Sequence, residues 1–205
     1  MADKIRVLYF LEDRAQERFI KALVERIAKE ESIPLNLLIH DIRSARGGSR
    51  VINEFRNFMK GLKVDTPGID LLVVAIDSNC EGYQERRKQL EKYIATPGFR
   101  DKVVLAVPDP HIERWYIMDQ RAFKSGVGIN KSPELPAYKC GRHYYKQILF
   151  KVLKESNVSS VLGGAEYAER IVEKIKDVDA LGKHEPGFRN FIQDLRRILK
   201  IARHS

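Results

Sequence analysis

Short apolar runs alternate with helical patterns through the first half of the chain. The most continuous run covers residues 69–76 (IDLLVVAI) and stops abruptly at Asp77-Ser78-Asn79. Such a run is typical of a central strand of a parallel sheet that is covered on both faces. Strands that alternate with helices are joined by right-handed crossovers into a sheet of this kind. The pattern therefore predicts an α/β fold with a Rossmann-like parallel sheet of about four strands, flanked by helices.

The predicted strands are rich in β-branched and aromatic residues, whereas the predicted helices repeat apolar residues at intervals of three and four. Asp13 directly follows the first strand and is a candidate N-cap of the first helix. The strands are expected at residues 4–11, 35–42, 69–76 and 102–107, and the helices at residues 14–29, 51–62 and 83–94.

The second part of the chain is expected to be a loop followed by helices. Glycine and proline predict a long loop over residues 123–138, and three apolar stripes indicate helices near residues 145–152, 165–175 and 188–199. A length of 205 residues suits a single domain. We therefore expect residues 1–125 to form the α/β core and residues 126–205 to pack on it as a helical C-terminal extension.

The charge balance is basic, with 37 Lys and Arg against 28 Asp and Glu and a formal net charge of +9. Such an excess favours a polyanionic partner such as DNA or RNA if it is clustered. The alternative is a solvated charged surface. No signal-peptide pattern or membrane-length apolar run is found, so a cytoplasmic location without a membrane partner is predicted. Cys80 and Cys140 lack zinc-ligand spacing and are expected to be thiols in a reducing compartment.

Acidic side chains follow three of the predicted strands. Glu12 follows the first, Asp77 the third, and Glu113 lies in the segment after the fourth, while Asn79 adds an amide beside Asp77. Ligands of open parallel sheets bind beyond the carboxyl ends of the strands. Oxygen ligands suit Mg²⁺ or Mn²⁺, which stabilise charge on phosphoryl oxygens and acidify a bound water. The sequence therefore predicts a divalent-metal site for chemistry on phosphodiesters.

Each of these residues also has a structural interpretation. Glu12 suits the first turn of a helix, where a carboxylate complements the helix dipole, and Asp77 suits an N-cap. Glu113 suits the surface of a helix that buries Trp115. His111 follows two prolines, and for it a capping or surface role is the simpler interpretation.

Basic residues near these acidic positions are candidates for contact with nucleic acid. Several of them surround Gly47-Gly48-Ser49 just before a predicted helix, where N–H groups and guanidinium groups can receive a phosphate, although a solvated loop explains them equally well. No Walker motif, GxGxxG, GxSxG or HExxH is present. The candidates are Arg43, Arg46, Arg50, Arg86, Arg87 and Lys139.

This order of residues resembles the Toprim domain of topoisomerases, bacterial primases and the nucleases of the OLD (overcoming lysogenization defect) group. Members carry a glutamate after the first strand and a DxD pair after the third, with divalent metal between them. By this resemblance Glu12 occupies the glutamate position, Asp77 the first aspartate position and Asn79 the second. Residues 112–119 (IERWYIMD) are further similar to an Ile-Glu-x-Trp-hydrophobic-Asp stretch of a poorly characterised OLD-like Toprim family, which adds Glu113 to the site.

Three functional hypotheses follow. In the first, the protein is a Mg²⁺- or Mn²⁺-dependent nuclease or phosphoryl-transfer enzyme, with the four residues above at the metal and Lys139 or Arg50 at the scissile phosphate. In the second, it is a non-catalytic nucleic-acid-binding module, and the neutral Asn79 marks the lost chemistry. In the third, it is an accessory protein whose helical tail docks a separately encoded ATPase, as the resemblance to OLD-like systems implies.

Overall fold

The computed structural model describes residues 4–45, 48–62, 68–94, 99–131, 133–141 and 143–203. Within them, a four-stranded sheet has the strand order β2-β1-β3-β4, and every neighbouring pair of strands is parallel. The predicted Rossmann-like parallel sheet is therefore confirmed. The strands are β1 Ile5–Leu11, β2 Leu38–Ser44, β3 Leu71–Ala75 and β4 Val103–Ala106.

Helices follow each strand and occupy most of the second half of the chain. The predicted N-cap is present, since the Asp13 side chain accepts a hydrogen bond from the backbone N–H of Gln16. The helices are α1 Arg14–Glu30, α2 Val51–Gly61, α3 Tyr83–Glu91, α4 Ile112–Met118, α5 Gln120–Val127, α6 Tyr144–Glu155, α7 Ala168–Lys174, α8 Val178–Gly182 and α9 Pro186–Arg203.

Both faces of the sheet are covered, as the continuous apolar strands require. Val7, Tyr9 and Leu11 of β1 point into the larger core, which also contains buried residues of α1, α4, α5, α6, α7 and α9. Leu8 and Phe10 point to the opposite face, where they pack with residues of α2 and α3. The result is a three-layer arrangement that leaves the carboxyl ends of the strands at one edge.

Three predicted element boundaries are wrong. The helix expected at residues 83–94 ends at Glu91. The second strand begins at Leu38 rather than at residue 35, because a 3₁₀ turn at Leu35–Leu37 precedes it. The predicted loop at residues 123–138 begins only after α5. That helix forms because Asp119 caps it, accepting from two backbone N–H groups, and it ends where Gly128 adopts φ +80°.

The C-terminal helices pack on the core. The α5 and α7 helices approach closely at Gly126, where a Cβ atom would lie 2.7 Å from the backbone of Ile171. The α9 helix contacts both α1 and β4. Arg196 of α9 binds Glu30 and Glu31 at the end of α1, so part of the basic C-terminal charge is neutralised within the protein.

Cys80 and Cys140 form a disulfide, so the expectation of two thiols is wrong. The two residues are separated by 60 positions in sequence, but the fold brings their Cα atoms to 5.5 Å. The bond joins the loop after β3 to the irregular segment before α6. No helix in the described ranges is long and apolar enough to cross a membrane.

Candidate functional site

Glu12 and Asp77 meet at the carboxyl ends of the two central strands. The register places Leu11 of β1 beside Ala75 of β3. The Glu12 Oε2 atom accepts a hydrogen bond of 3.1 Å from the Asp77 backbone N–H, and its Oε1 atom accepts one of 3.3 Å from the Gly48 N–H. The chain leaves β1 toward β2 and later crosses to β3, so this position is the topological switch point at which α/β sheets bind ligands.

Asp77 is buried and highly constrained. Its Oδ1 atom accepts hydrogen bonds from Gln16 Nε2 at 2.8 Å and from the Ile112 backbone N–H at 3.1 Å. Its Oδ2 atom lies 3.4 Å from His111 Nδ1. Burial raises the pKa of Asp77 from 3.8 to about 7. The hydrogen bond with His111 opposes this rise, and the negative charge of Glu12 adds to it.

The other two acidic candidates are electrostatically linked to this carboxyl group. Burial raises the pKa of Glu12, and the hydrogen bond from the Asp77 N–H only partly opposes this effect. Burial likewise raises the pKa of Glu113, and the negative charge of Asp13 adds to it. Carboxylates that raise one another's pKa values gain stability when a cation lies between them.

Glu113 and Asn79 lie at the margin of this arrangement. Among the described residues, no hydrogen bond joins Glu113 to Glu12 or Asp77, although the charge of Glu113 contributes to the raised pKa of Asp77. Glu113 instead lines a small cleft of about 200 Å³ together with Lys146. Asn79 is exposed, has φ +49° and donates from Nδ2 to the Asp77 carbonyl oxygen at 3.4 Å.

Two residues that the sequence analysis did not place in the site support it directly. Gln16 is fully buried, and its Oε1 atom accepts from the Glu12 backbone N–H at 2.9 Å while its Nε2 atom donates to Asp77. His111 lies against Asp77, and the hydrogen bond between them raises the pKa of the imidazole. The only available signal for Gln16 was its position one helical turn after Glu12, on the face of α1 that points toward the sheet.

No group of three or more His, Cys, Asp or Glu side chains in the described part of the chain has an arrangement suited to a metal ion. The side chains of Glu12, Asp77, His111 and Glu113 nevertheless interact through hydrogen bonds or through charge. The carboxylate oxygen atoms of this set are the ligand type that Mg²⁺ and Mn²⁺ take, whereas the His111 imidazole contacts Asp77.

The candidate basic residues differ in their surroundings. Arg43 is exposed and pairs with Asp41 at 3.6 Å, and Arg50 is exposed immediately before α2. The Lys139 Nζ atom lies 4.8 Å from the centroid of the Tyr144 ring. Arg46 lies outside the described residues.

The two arginines of α3 are held by other residues of the protein. The Arg86 side chain is 5% exposed and donates to the Ser78 carbonyl oxygen at 3.2 Å and to Glu81 at 2.9 Å. Its positive charge also opposes the raised pKa of Glu12. Arg87 donates to Tyr83, Glu91 and Asp194, beside a different cleft. Arg86 therefore supports the loop after β3, and Arg87 links α3 to α9.

The loop after β3 is also fixed by the segment after β4. Backbone N–H groups of Ser78 and Asn79 donate to the carbonyl oxygens of Pro108 and Pro110. The Asp109 Oδ1 atom accepts from the hydroxyl groups of both Ser78 and Tyr138, at 2.5 and 3.0 Å. Together with the disulfide, these bonds hold the margin of the site in one conformation.

Comparisons with protein-family models, with curated proteins and with solved structures give no match to this chain. The resemblance to Toprim domains stays a prediction that depends on the residues quoted for it.

Proposed function

We propose that this protein is a divalent-metal-dependent nuclease or phosphoryl-transfer enzyme that acts on nucleic acid. The observation that carries the proposal is the contact between Glu12 Oε2 and the Asp77 backbone at the topological switch point of the sheet. This contact places two acidic side chains at the position where open parallel sheets bind their ligands. The acidic character of the site and the basic net charge of +9 suit a cation that bridges to a polyanion.

The residues fit such an ion chemically. Glu12 and Asp77 would hold Mg²⁺ or Mn²⁺, with Glu113 and Asn79 at its margin. When bound, the ion would supply Lewis acidity toward a phosphoryl oxygen and toward water. Gln16 fixes both acidic residues through its two hydrogen bonds, and His111 orients the second oxygen of Asp77. Arg50 and Lys139 are the proposed contacts to phosphate.

The test is cleavage of supercoiled plasmid and of single-stranded RNA in Mg²⁺, Mn²⁺ or EDTA. Glu12→Gln preserves the size of the side chain and an acceptor for one backbone bond, so its fold is expected to persist while metal-dependent cleavage is lost. Glu173→Gln is the control, because Glu173 is 72% exposed in its side chain and lies on α7. Absence of cleavage by the folded wild-type protein with either metal would refute the nuclease proposal.

A second candidate is a nucleic-acid-binding module without catalysis. The neutral and exposed Asn79 at the second DxD position favours it. Binding that depends strongly on salt, and that neither EDTA nor Glu12→Gln changes, would select this candidate. Co-purification with a separately encoded ATPase, without affinity for nucleic acid, would instead select the accessory role. We also propose that the protein is located in the cytoplasm.

A further inference from the structure

A large cleft opens beside the acidic site, on the α2 and α3 side of the sheet. Its volume is about 830 Å³, within the ~300–1,000 Å³ typical of sites for small molecules and cofactors. On one side it is lined by α2 and the preceding turn, with Asn53 and Gly48. On the other side it is lined by α3 and the residues just after it, with Gln89 and Tyr93. His111 lines the end of the cleft next to Asp77. Because His111 contacts Asp77, a molecule in this cleft lies next to the candidate catalytic residues.

The wall of the cleft contains buried nitrogen atoms without hydrogen-bond partners. The Arg86 side chain is 5% exposed, and its Nε atom has no partner in the described structure, which is also true of His111 Nε2. Both nitrogen atoms lie directly behind the surface of the cleft, on residues that line it. The Arg86 guanidinium is paired with Glu81, which also lines the cleft, so its charge is balanced within the protein.

The start of α2 provides a second feature suited to an anion. This helix has 11 residues and no side-chain hydrogen bond at its N-cap, Arg50. N–H groups at a helix N-terminus and the positive end of its dipole favour phosphate. The Gly48 N–H already donates to Glu12 Oε1, so the groups that would meet a phosphate are those at the start of α2 itself.

The α3 side has the character of a binding surface for a base. Tyr93 is half-buried, with its ring centroid 6.5 Å from that of Phe55 at an interplanar angle of 76°. Gln89 accepts from Arg86 through Oε1, which leaves its Nε2 group as a donor. Asn53 and Asn79 add exposed amides that can pair with the edges of a base. Aromatic rings and amides of this kind recognise unstacked bases of single strands.

We infer that this cleft binds one unstacked nucleotide of a single-stranded nucleic acid, with its phosphate near the start of α2 and its base against Tyr93. The inference rests on the proposed function, because it assigns the form of the substrate at that same site. A base within an intact duplex is stacked and paired, so it does not expose its face to Tyr93.

The test is fluorescence anisotropy with labelled single-stranded oligo-dT and oligo-U, and with a duplex of equal length, all in EDTA. Tyr93→Leu is expected to weaken binding of the single strands by roughly 10-fold, the range of one base–aromatic stack. Tyr93→Phe keeps the ring and is expected to bind as the wild type does. Equal affinity for duplex and single strand, or unchanged binding by folded Tyr93→Leu, would overturn the inference.

A second pair of variants avoids the packing of Tyr93 against Phe55. Asn53→Asp places a negative charge in the cleft. The control is Asn57→Asp, which places the same charge at an exposed position of the same helix outside the cleft. Only Asn53→Asp is expected to weaken binding, by several-fold at low salt, and an equal loss in both variants would contradict the inference.

The two proposals can fail separately because binding is measured without metal. Metal-dependent cleavage that persists while Tyr93→Leu and Asn53→Asp bind normally would overturn only the nucleotide site. Loss of binding in both variants, in a protein that never cleaves nucleic acid, would support the nucleotide site and overturn the nuclease proposal.

Discussion

Replacement of Asp77 by asparagine is expected to stabilise the protein at alkaline pH. The pKa of this carboxyl group is raised from 3.8 to about 7, mainly by burial. The folded state therefore holds a proton that the unfolded state releases above pH 3.8. The resulting contribution to stability is greatest at low pH and falls as the pH rises toward 7, where Asp77 ionises in the folded state as well.

The magnitude follows from this difference in pKa. One pH unit corresponds to ~1.4 kcal/mol, and the rise from 3.8 to about 7 spans roughly three units, so ionisation of Asp77 costs the folded state up to ~4 kcal/mol. Asparagine keeps an oxygen that accepts from Gln16 Nε2 and from the Ile112 N–H. Asp77→Asn is thus expected to gain up to ~4 kcal/mol above pH 8 and only ~1 kcal/mol near pH 4.5.

The assay is urea unfolding of both proteins at pH 4.5 and at pH 8, followed by circular dichroism in EDTA. Asp70→Asn is the matched control, because Asp70 accepts from the Arg6 backbone N–H away from the site. A difference between Asp77→Asn and the wild type that is the same at both pH values would refute the reasoning. Destabilisation at pH 8 would show that the ionised carboxylate is better paired than the contacts of Asp77 indicate.

Three further substitutions test contacts that hold the fold together. Gln16→Leu removes the side chain that bonds Glu12 and is expected to lower the free energy of unfolding by ~1–3 kcal/mol at pH 6, measured in urea. Cys140→Ser removes a disulfide between residues 60 positions apart and is expected to lower the free energy of unfolding by ~4 kcal/mol. A dithiol reductant should lower the stability of the wild type by the same amount and leave the variant unchanged. Gly126→Ala places a Cβ atom 2.7 Å from the α7 backbone and is expected to lower the melting temperature, whereas Gly61→Ala meets nothing within 4 Å and should not.

The predicted strands and the first helix were largely right because their signals are local. The continuous apolar run at residues 69–76 contains β3, Leu71–Ala75, and the cap at Asp13 starts α1 where expected. The α5 helix, Gln120–Val127, was missed because it contains a glycine and because the predicted loop begins at residue 123, within the helix. Its stability depends on α7, which packs against Gly126 from about 45 residues further along the chain.

The site was predicted in part for the same reason. Acidic residues at the ends of predicted strands lie at one edge in any parallel sheet, so the strand pattern predicts this edge. The contact of Glu12 with Asp77 also requires β1 and β3 to be neighbours, which follows from the strand order in the fold. Sequence position did not reveal that Arg86 is buried, because its helix is strongly charged and its partners Ser78 and Glu81 lie on the preceding loop. The buried side chain of Gln16 was likewise hidden by its polar character.

The α/β class, the order of the strands along the chain and the acidic character of one sheet edge could all be inferred from the amino-acid sequence. These properties depend on apolar periodicity and on residues that directly follow strands, which are local features. The folded protein was needed to reveal the strand order β2-β1-β3-β4, the pairing of Cys80 with Cys140 and the contact of His111 with Asp77. Each of these depends on packing between segments that are distant in sequence, and the burial that raises the pKa of Asp77 arises only when those segments close over it.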